Sequence, residues 1–368
     1  MIPFLDVKAA YDELRPGIDR AIARVSGSGW YILGPEVECF EAAFADHVEA
    51  AHCVGVGNGL DALVLILRAL GIGPGDEVIV PAQTFVATWL AVSWAGATPV
   101  PAEVESNCAL LDPEAIEAAI TPRTRAMMPV HLFGHPADLD PICEIAGRHG
   151  IPVIEDAAQA HGACYKGKRV GSRGAAAAWS FYPTKNLGAM GDGGAITTDD
   201  AALAARLRLL RNYGSAEKYV HEIAGVNSRL DPIQAAVLTE KLPRLDAWNS
   251  HRRRIAALYL EGLAGLPIDL PKPANWAEPV WHLFPIRCAH RDRLAERLRQ
   301  VGIATGCHYP AVPYRQAAYA DADGGWSFPA AEDWAARCLS LPIGPHLELA
   351  DAELVVSAVR DALAEAGS

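Results

Sequence analysis

Ser180-Phe181-Tyr182-Pro183-Thr184-Lys185-Asn186-Leu187-Gly188, followed closely by Gly191-Asp192-Gly193-Gly194, sets one lysine between an apolar, strand-like run and a glycine-rich turn. Glycines there let backbone approach a ligand closely. A lysine with restricted access to water loses proton affinity and becomes a nucleophilic amine. Such an amine suits Schiff-base chemistry with an aldehyde cofactor such as pyridoxal phosphate. A lone lysine in a turn is otherwise an ordinary surface charge, so the reading depends on what the rest of the chain supplies.

About thirty residues upstream runs Gly150-Ile151-Pro152-Val153-Ile154-Glu155-Asp156-Ala157-Ala158-Gln159-Ala160-His161-Gly162. Pro152 to Ile154 read as a short buried parallel strand with Asp156 at its carboxyl end, where open α/β sheets bind ligands. A carboxylate buried there needs a partner, and a protonated pyridine nitrogen would be one. Gln159 and His161 follow on the same loop, within reach of ring substituents. Taken alone, Asp156 could equally cap the next helix. A third segment, His52-Cys53-Val54-Gly55-Val56-Gly57-Asn58-Gly59-Leu60-Asp61-Ala62-Leu63, reads as a strand, a glycine turn and a helix from Asp61 to Leu70. Amides at such a helix start attract phosphate. A dinucleotide fold is the competing reading. It lacks the acid expected at the end of the next strand, where Val78-Ile79-Val80 runs into Pro81-Ala82-Gln83.

The 368 residues suffice for a large core and usually divide into two domains. No apolar run reaches membrane-spanning length, and the start shows no basic region before an apolar stretch. Eight scattered cysteines without a Cys-x-x-Cys pair favour reduced thiols in a cytoplasm over disulfides or zinc. A formal net charge of −12 argues against nonspecific nucleic-acid binding. Lys166-Gly167-Lys168-Arg169, the sharpest basic cluster, reads as a solvated hairpin turn.

Periodicity predicts a helix over 11–26, then strand-like runs alternating with helical ones from about 51 to 200, hence βα units and a largely parallel sheet. The runs are Cys53 to Val56, Val78 to Val80, Ala126 to Val130, Val153 to Ile154, Ala178 to Tyr182 and Ala195 to Thr197. A long helix is expected from Asp231 to Leu260 with a kink at Pro243. A proline-rich linker from Gly265 to Pro279 follows, then a smaller lobe with a strand at Val280 to Arg287, a helix at Arg291 to Val301 and a last helix at Ala350 to Ala366.

Together these motifs resemble the DegT/DnrJ/EryC1/StrS family of pyridoxal-phosphate-dependent sugar aminotransferases. The resemblance runs from about Ile2 to the C-terminus. It includes Pro3-Phe4-Leu5-Asp6, Gly29-Trp30-Tyr31-Ile32-Leu33-Gly34-Pro35-Glu36-Val37, Gly59-Leu60-Asp61-Ala62 and Asn227-Ser228-Arg229-Leu230-Asp231. It implies an aspartate-aminotransferase-like α/β fold (fold type I): a large, mostly parallel sheet domain of the seven-stranded type plus a smaller C-terminal α/β domain. The boundaries it suggests are an N-terminal arm and helix over 1–30, a cofactor-binding domain over 31–245 and a small domain over 246–368.

The same resemblance implies roles for individual residues. Lys185 would bind the cofactor aldehyde and shuttle protons. Asp156 would pair with the pyridine nitrogen and Gln159 with the ring hydroxyl, while Phe85 would stack on the ring. Asn58, Gly59, Leu60 and Ser180 would hold the phosphate, joined by Asn227 from the neighbouring subunit of a homodimer. Read alone, Asn227 is an N-terminal cap of the long helix, and Phe85 a plain core aromatic. Tyr219, His221, His308 and Tyr309 would line the sugar-nucleotide pocket, although the first two also read as a solvated loop. No metal is implied.

The wording around Lys185 resembles the branch acting on nucleotide-linked 3-keto-6-deoxyhexoses, with dTDP as nucleotide and glutamate as amino donor. Amination at C4 is the alternative. A sugar dehydratase of the same fold would carry histidine at the lysine position, and a non-catalytic regulator would not need Lys185, Asp156 and Gln159 intact. The chain departs from the family pattern at Tyr314-Arg315-Gln316, a segment the resemblance connects with detailed sugar contacts, and at Ala175, Trp179 and His135; none of these touches the lysine or the acid.

Overall fold

The computed structural model describes residues 1–322 and 324–364. The chain opens with α1 (Val7–Ser28) and α2 (Pro35–His47), then alternates β1 (His52–Val56), α3 (Gly59–Ala69), β2 (Glu77–Pro81), α4 (Val86–Trp94), β3 (Thr98–Ala102), α5 (Pro113–Ala119), β4 (Thr124–Met127), α6 (Leu139–His149) and β5 (Ile154–Asp156). A small hairpin, β6 (Cys164–Tyr165) and β7 (Lys168–Arg169), precedes β8 (Ala176–Ser180), β9 (Gly194–Thr198) and α7 (Ala201–Leu210). Helices α8 (Pro232–Lys241) and α9 (Leu245–Gly262) follow, joined by a 3-10 turn at Leu242–Arg244. The C-terminal part holds β10 (Ala277–Glu278), β11 (Phe284–Arg287), α10 (Arg291–Gln300), α11 (Pro329–Arg337), β12 (Cys338–Leu341) and α12 (Leu349–Ala364).

The hydrophobic strands assemble in two groups, β3-β2-β4 and β5-β8-β9-β1. Parallel bridges Met127↔Val153 and Val130↔Asp156 join them into one layer of seven strands, ordered β3-β2-β4-β5-β8-β9-β1. Only β9 runs against its neighbours, pairing antiparallel with both β8 and β1. The central strands are apolar along their length, as a sheet covered on both faces requires. Helices α3, α4 and α7 bury Leu63, Ile66, Val92 and Leu207 on one side, while Phe40, Phe44, Leu238 and Leu245 pack with Trp179 and Phe181 on the other. The mostly parallel α/β architecture expected from the sequence is therefore present. Among the described residues no helix is long and apolar enough to cross a membrane.

A separate core gathers Ile255, Tyr259, Phe284, Ile286, Leu298, Leu341 and Val355 around the antiparallel pair β11–β12. Ile2 joins it through a parallel bridge to Ile303. Helix α1 is capped by the Asp6 carboxylate, which accepts from the amides of Lys8 and Ala9 at 2.9 and 3.2 Å. It buries Ala21 and Val25 against Ala236 of α8.

Three expectations are corrected. The long helix is not one kinked helix but two separated by a 3-10 turn, because Pro243 has no amide to donate. The strand expected from Val280 starts only at Phe284, since Trp281 takes a left-handed backbone conformation (φ 48°) that breaks the extended run. Asn227 is not a helix cap: α8 begins at Pro232 with Asp231 before it, and Asn227 instead bridges to Asn212. The basic cluster is the expected hairpin turn, Lys166 and Gly167 linking β6 to β7.

Candidate active site

The carboxyl ends of β5 and β8 and the start of α3 converge on a cavity of ≈ 590 Å³. Lys185, Asp156, Gln159, Asn58, Gly59, Leu60, Phe85, Ser180, His308 and Tyr309 all line it. Side chains alternate along a strand, so the two acids that end β5 part company. Glu155 turns away and accepts amides from Gly171, Arg173 and Gly174 at 2.9, 3.0 and 2.8 Å. It also faces His131 at 3.0 Å, whose other ring nitrogen accepts from Ala137, so the Nε2–H donates to the carboxylate. Burial works to raise the Glu155 pKa, but His131 and those amides hold it below the ordinary value.

Asp156 enters the cavity instead. Thr88 Oγ1 donates to it at 2.8 Å and the Ala158 amide at 3.3 Å, so its hydrogen bonds come from a hydroxyl and an amide. Burial raises its pKa, eased by these bonds and by attraction to Lys185. The Lys185 amine is pushed down to about 8 by desolvation, against the pull of Asp156. An acid and an amine each disfavoured in the charged form are thus held in one cavity, a common mark of a reactive centre. The Lys185 backbone is itself fixed, its amide donating to the Tyr182 carbonyl at 2.8 Å.

The phosphate-type cradle is built by close approach. A Cβ on Gly59 would lie 2.7 Å from Ser180 Cβ, and one on Gly194 only 2.4 Å from the Asn58 carbonyl carbon. Only glycine lets β8, β9 and the start of α3 come this near. Asn58 Oδ1 accepts the Asp61 amide at 2.8 Å and the Asn58 carbonyl accepts from Ala62 at 3.1 Å. The amides of Gly59 and Leu60, first in an 11-residue helix, have no carbonyl one turn earlier and suit an anion. The donor set fits a phosphorylated heteroaromatic ring: amides at one end, a buried carboxylate at the other, an amine between.

Gln159 is locked, its Oε1 accepting from the Phe133 amide at 2.6 Å and its Nε2 donating to Tyr309 OH at 2.8 Å. One amide hydrogen remains for a ligand. The rings of Phe85 and Tyr309 meet at 5.3 Å, and Phe85 is half exposed at the cavity. His308 stacks on Phe4 at 5.5 Å and its Nδ1 meets Ser340 Oγ at 2.9 Å.

Three predicted residues lie elsewhere. Tyr219 is 82% exposed, and His221 is exposed with its Nδ1 near the Tyr213 carbonyl at 2.9 Å. Asn227 borders a second, separate cavity with Asp61, Arg68 and Trp94. His161 does not reach the cavity either. It packs among Phe44, Trp179 and Phe181, its nitrogens unpartnered, and burial pulls its pKa to about 3. Of the departures, none of Ala175, Trp179, His135, Tyr314, Arg315 and Gln316 lines the cavity.

Sequence reading missed His282, which does. Asn186 Nδ2 donates to Asn249 Oδ1 at 2.8 Å and to the Val280 carbonyl at 2.9 Å. Its Oδ1 must therefore accept from His282 Nδ1, 3.1 Å away. Burial and nearby positive charge hold this imidazole neutral, so its Nε2 is left as an acceptor. The signal was in plain view: a histidine interrupts the apolar run from Val280 to Ile286. Thr88, four residues beyond Thr84, was missed for want of any local motif.

The model of the DegT/DnrJ/EryC1/StrS aminotransferase family matches residues 13–360. The dTDP-3-amino-3,4,6-trideoxy-alpha-D-glucose transaminase of Streptomyces venezuelae is 59% identical over 362 residues, 98% of this chain and 96% of that protein. The dTDP-3-amino-3,6-dideoxy-alpha-D-galactopyranose transaminase of Aneurinibacillus thermoaerophilus is 51% identical over 98% of this chain and 99% of its own. The crystal structure of S. venezuelae DesV superposes with a TM-score of 0.96 at 58% identity, over 98% of each chain.

Two outcomes follow from the geometry. Asp156→Asn should retain the ring ligand yet slow turnover by roughly a hundredfold or more, because an amide cannot hold a ring nitrogen protonated. Near-normal steady-state rates would return Asp156 to a structural role. For Lys185 the folded pKa of about 8 lies below the ordinary lysine value of 10.5, so the protonated amine opposes folding. That penalty is full below pH 8 and fades as pH climbs toward 10.5. Lys185→Met should therefore raise the melting temperature of the cofactor-free protein most below pH 8, the gain shrinking at higher pH. A gain that does not change with pH would show that lysine ionisation is not its source.

Proposed function

We propose an acceptor, a set of residue roles and a dimer for a chain that belongs to the DegT/DnrJ/EryC1/StrS aminotransferase family and is a pyridoxal-phosphate-dependent transaminase. The acceptor is a dTDP-linked 3-keto-6-deoxyhexose, aminated at C3, with glutamate as donor. The observation that carries this is that two relatives, 59% and 51% identical over 98% of the chain, are both named for dTDP-linked 3-amino sugars.

Bound pyridoxal phosphate supplies the electron sink that stabilises charge on the substrate carbon. The chain's residues do the rest. Lys185, with its lowered amine pKa, would hold the cofactor aldehyde and would serve as the amine that moves a proton at the reacting carbon. Asp156 would pair with the ring nitrogen and favour its protonated form, and that charge would offset the burial of the carboxylate. The remaining Gln159 amide hydrogen meets the ring hydroxyl. Phe85 would cover one ring face, while Asn58, Gly59, Leu60 and Ser180 would hold the phosphate. His308, Tyr309 and the His282 Nε2 acceptor form the sugar side.

The proposed homodimer completes the sites. Trp30, Tyr31, Trp94, Tyr213 and Tyr219 are all about half exposed or more, aromatic surface that a partner subunit would cover. In this reading Asn227 reaches the phosphate of the other subunit, and Tyr219 and His221 its sugar. The division into segments 1–30, 31–245 and 246–368 is proposed on the same footing, supported by the separate core around β11 and β12.

An assay against dTDP-linked 3-keto and 4-keto 6-deoxyhexoses, with glutamate, should show turnover of the 3-keto sugar and its product aminated at C3. Preferred C4 amination would overturn the acceptor assignment. The dimer has its own test. Mixing Lys185→Ala with Asn227→Glu chains puts both defects in one site of a heterodimer and neither in the other. Random exchange should restore about one quarter of sites. Baseline activity with exchange confirmed by mass would return Asn227 to its own chain.

A further inference from the structure

We propose that Cys307 and Cys338 form an oxidisable dithiol that closes to a disulfide under peroxide and displaces the neighbouring His308–Tyr309 segment from the cavity. Their sulfurs lie 3.6 Å apart, and among the described residues no other thiol pair is within hydrogen-bonding reach. The remaining cysteines, among them exposed Cys39, stand alone.

The two thiols differ in setting as an attacking and a resolving thiol should. Cys307 is half-buried, and Arg291 Nη1 approaches its sulfur at 3.2 Å. Cys338 is buried at the start of β12. The hydrogen bond from Cys338 and the Arg291 guanidinium bring the Cys307 thiol down to about 7, against burial and the Asp292 carboxylate. The same bond and burial push Cys338 up. Cys307 Sγ also lies 3.4 Å from the Cys338 carbonyl, which accepts its proton while the thiol is neutral, and the Arg291 guanidinium favours release of that proton, so thiolate character falls on the half-buried sulfur.

The chemistry balances with hydrogen peroxide as oxidant. The Cys307 thiolate attacks one peroxide oxygen, forming S–O as O–O breaks and hydroxide leaves. Cys338 sulfur then attacks Cys307 sulfur. S–S forms, S–O breaks, and the thiol proton departs with the hydroxyl as water. Two electrons pass from the sulfurs to the peroxide, and a dithiol reductant reverses the step.

Closing from 3.6 Å to a disulfide of ~2.05 Å draws the sulfurs together by ~1.5 Å. Cys307 directly precedes His308, which is tied to Ser340, and Tyr309, which holds Gln159. Gly306 and Ser340 are joined by backbone bonds of 2.7 and 3.1 Å, which hold the chain before Cys307, so the movement falls on His308 and Tyr309 after it. A shift of an ångström at positioning groups lowers catalysis by roughly a hundredfold.

The test exposes the cofactor-loaded protein to graded hydrogen peroxide, quenches with catalase, alkylates free thiols and maps the peptides by mass. A Cys307–Cys338 crosslink, ~2 Da lighter than the two free thiols, should appear before Cys39 is oxidised. Transaminase turnover should fall roughly ten- to a hundredfold in step with it and return with dithiothreitol. Cys307→Ser should keep its activity under the same peroxide. Cys338→Ala should stop at a sulfenic acid on Cys307 that dimedone captures. Both thiols remaining alkylatable after Cys39 is oxidised would overturn the proposal, whatever the variants do. Equal loss of turnover in Cys307→Ser and the parent chain would overturn its link to the cavity.

Discussion

A carboxylate and an amine that would both be better solvated in water are held together in a protein cavity, and much of the molecule serves to keep them there. Asp156 is fixed by Thr88 and by the turn at Ala158. Lys185 is fixed by its loop, whose ends are stapled by Phe181 to Gly193 at 2.8 Å and Ala189 to Phe181 at 2.7 Å. Neither residue is satisfied by the other alone, since burial raises the acid and lowers the base. The pair suits a ligand that carries a positive ring nitrogen and an electrophilic carbon, and the amides at the other end of the cavity suit an anionic third point of attachment, as in the proposed roles.

The sheet makes that arrangement possible. Parallel strands deliver all their carboxyl ends to one edge, so Asp156 ends β5 opposite Ala178 and Ser180 ends β8 two residues further on. The reversal of β9 then returns the chain past the same edge, where Gly194 touches the Asn58 turn. A second polar tier lies behind this edge. Asn249 of α9 supports Asn186, which sets the tautomer of His282, and Asn249 also donates to the His161 carbonyl at 2.8 Å. The break at Pro243 separates α9 from α8, and α9 brings Asn249 to the site while Ile255 and Tyr259 enter the C-terminal core.

What could be read from sequence divides along physical lines. Lys185, Asp156 and the Gly59 turn were legible because their chemistry is local: each lies beside a strand end and a glycine-rich bend. Strand β3 was not anticipated, since Thr98-Pro99-Val100-Pro101-Ala102 offers two residues without amides. The sheet accommodates them by putting β3 at its edge, where one row of donors has no partner to find. His282 escaped because its role is set by Asn186, 96 positions away, and Thr88 because its partner Asp156 is 68 positions away. No window along the chain contains either pair. Tyr219 and His221 illustrate the reverse case: their placement depends on what covers an exposed loop, which one chain's periodicity does not encode.

The pairing of β1 with β9 has a consequence for biogenesis. His52 lies opposite Thr198, so β1 waits for a partner about 140 residues further along the chain. At ribosomal speeds of roughly 5–20 residues per second, that is on the order of ten to thirty seconds during which an apolar strand has emerged without its neighbour. Nascent β1 and α3 therefore pass through a window in which misregistered pairing competes with the correct one. The three-stranded group β3-β2-β4, whose members lie within some fifty residues of one another, is free to form first and to offer β5 its bridging carbonyls. The active-site edge, which needs β5, β8, β9 and the α3 turn at once, is then among the last parts of the sheet to close, and holding chaperones would find their substrate in chains shorter than about 200 residues.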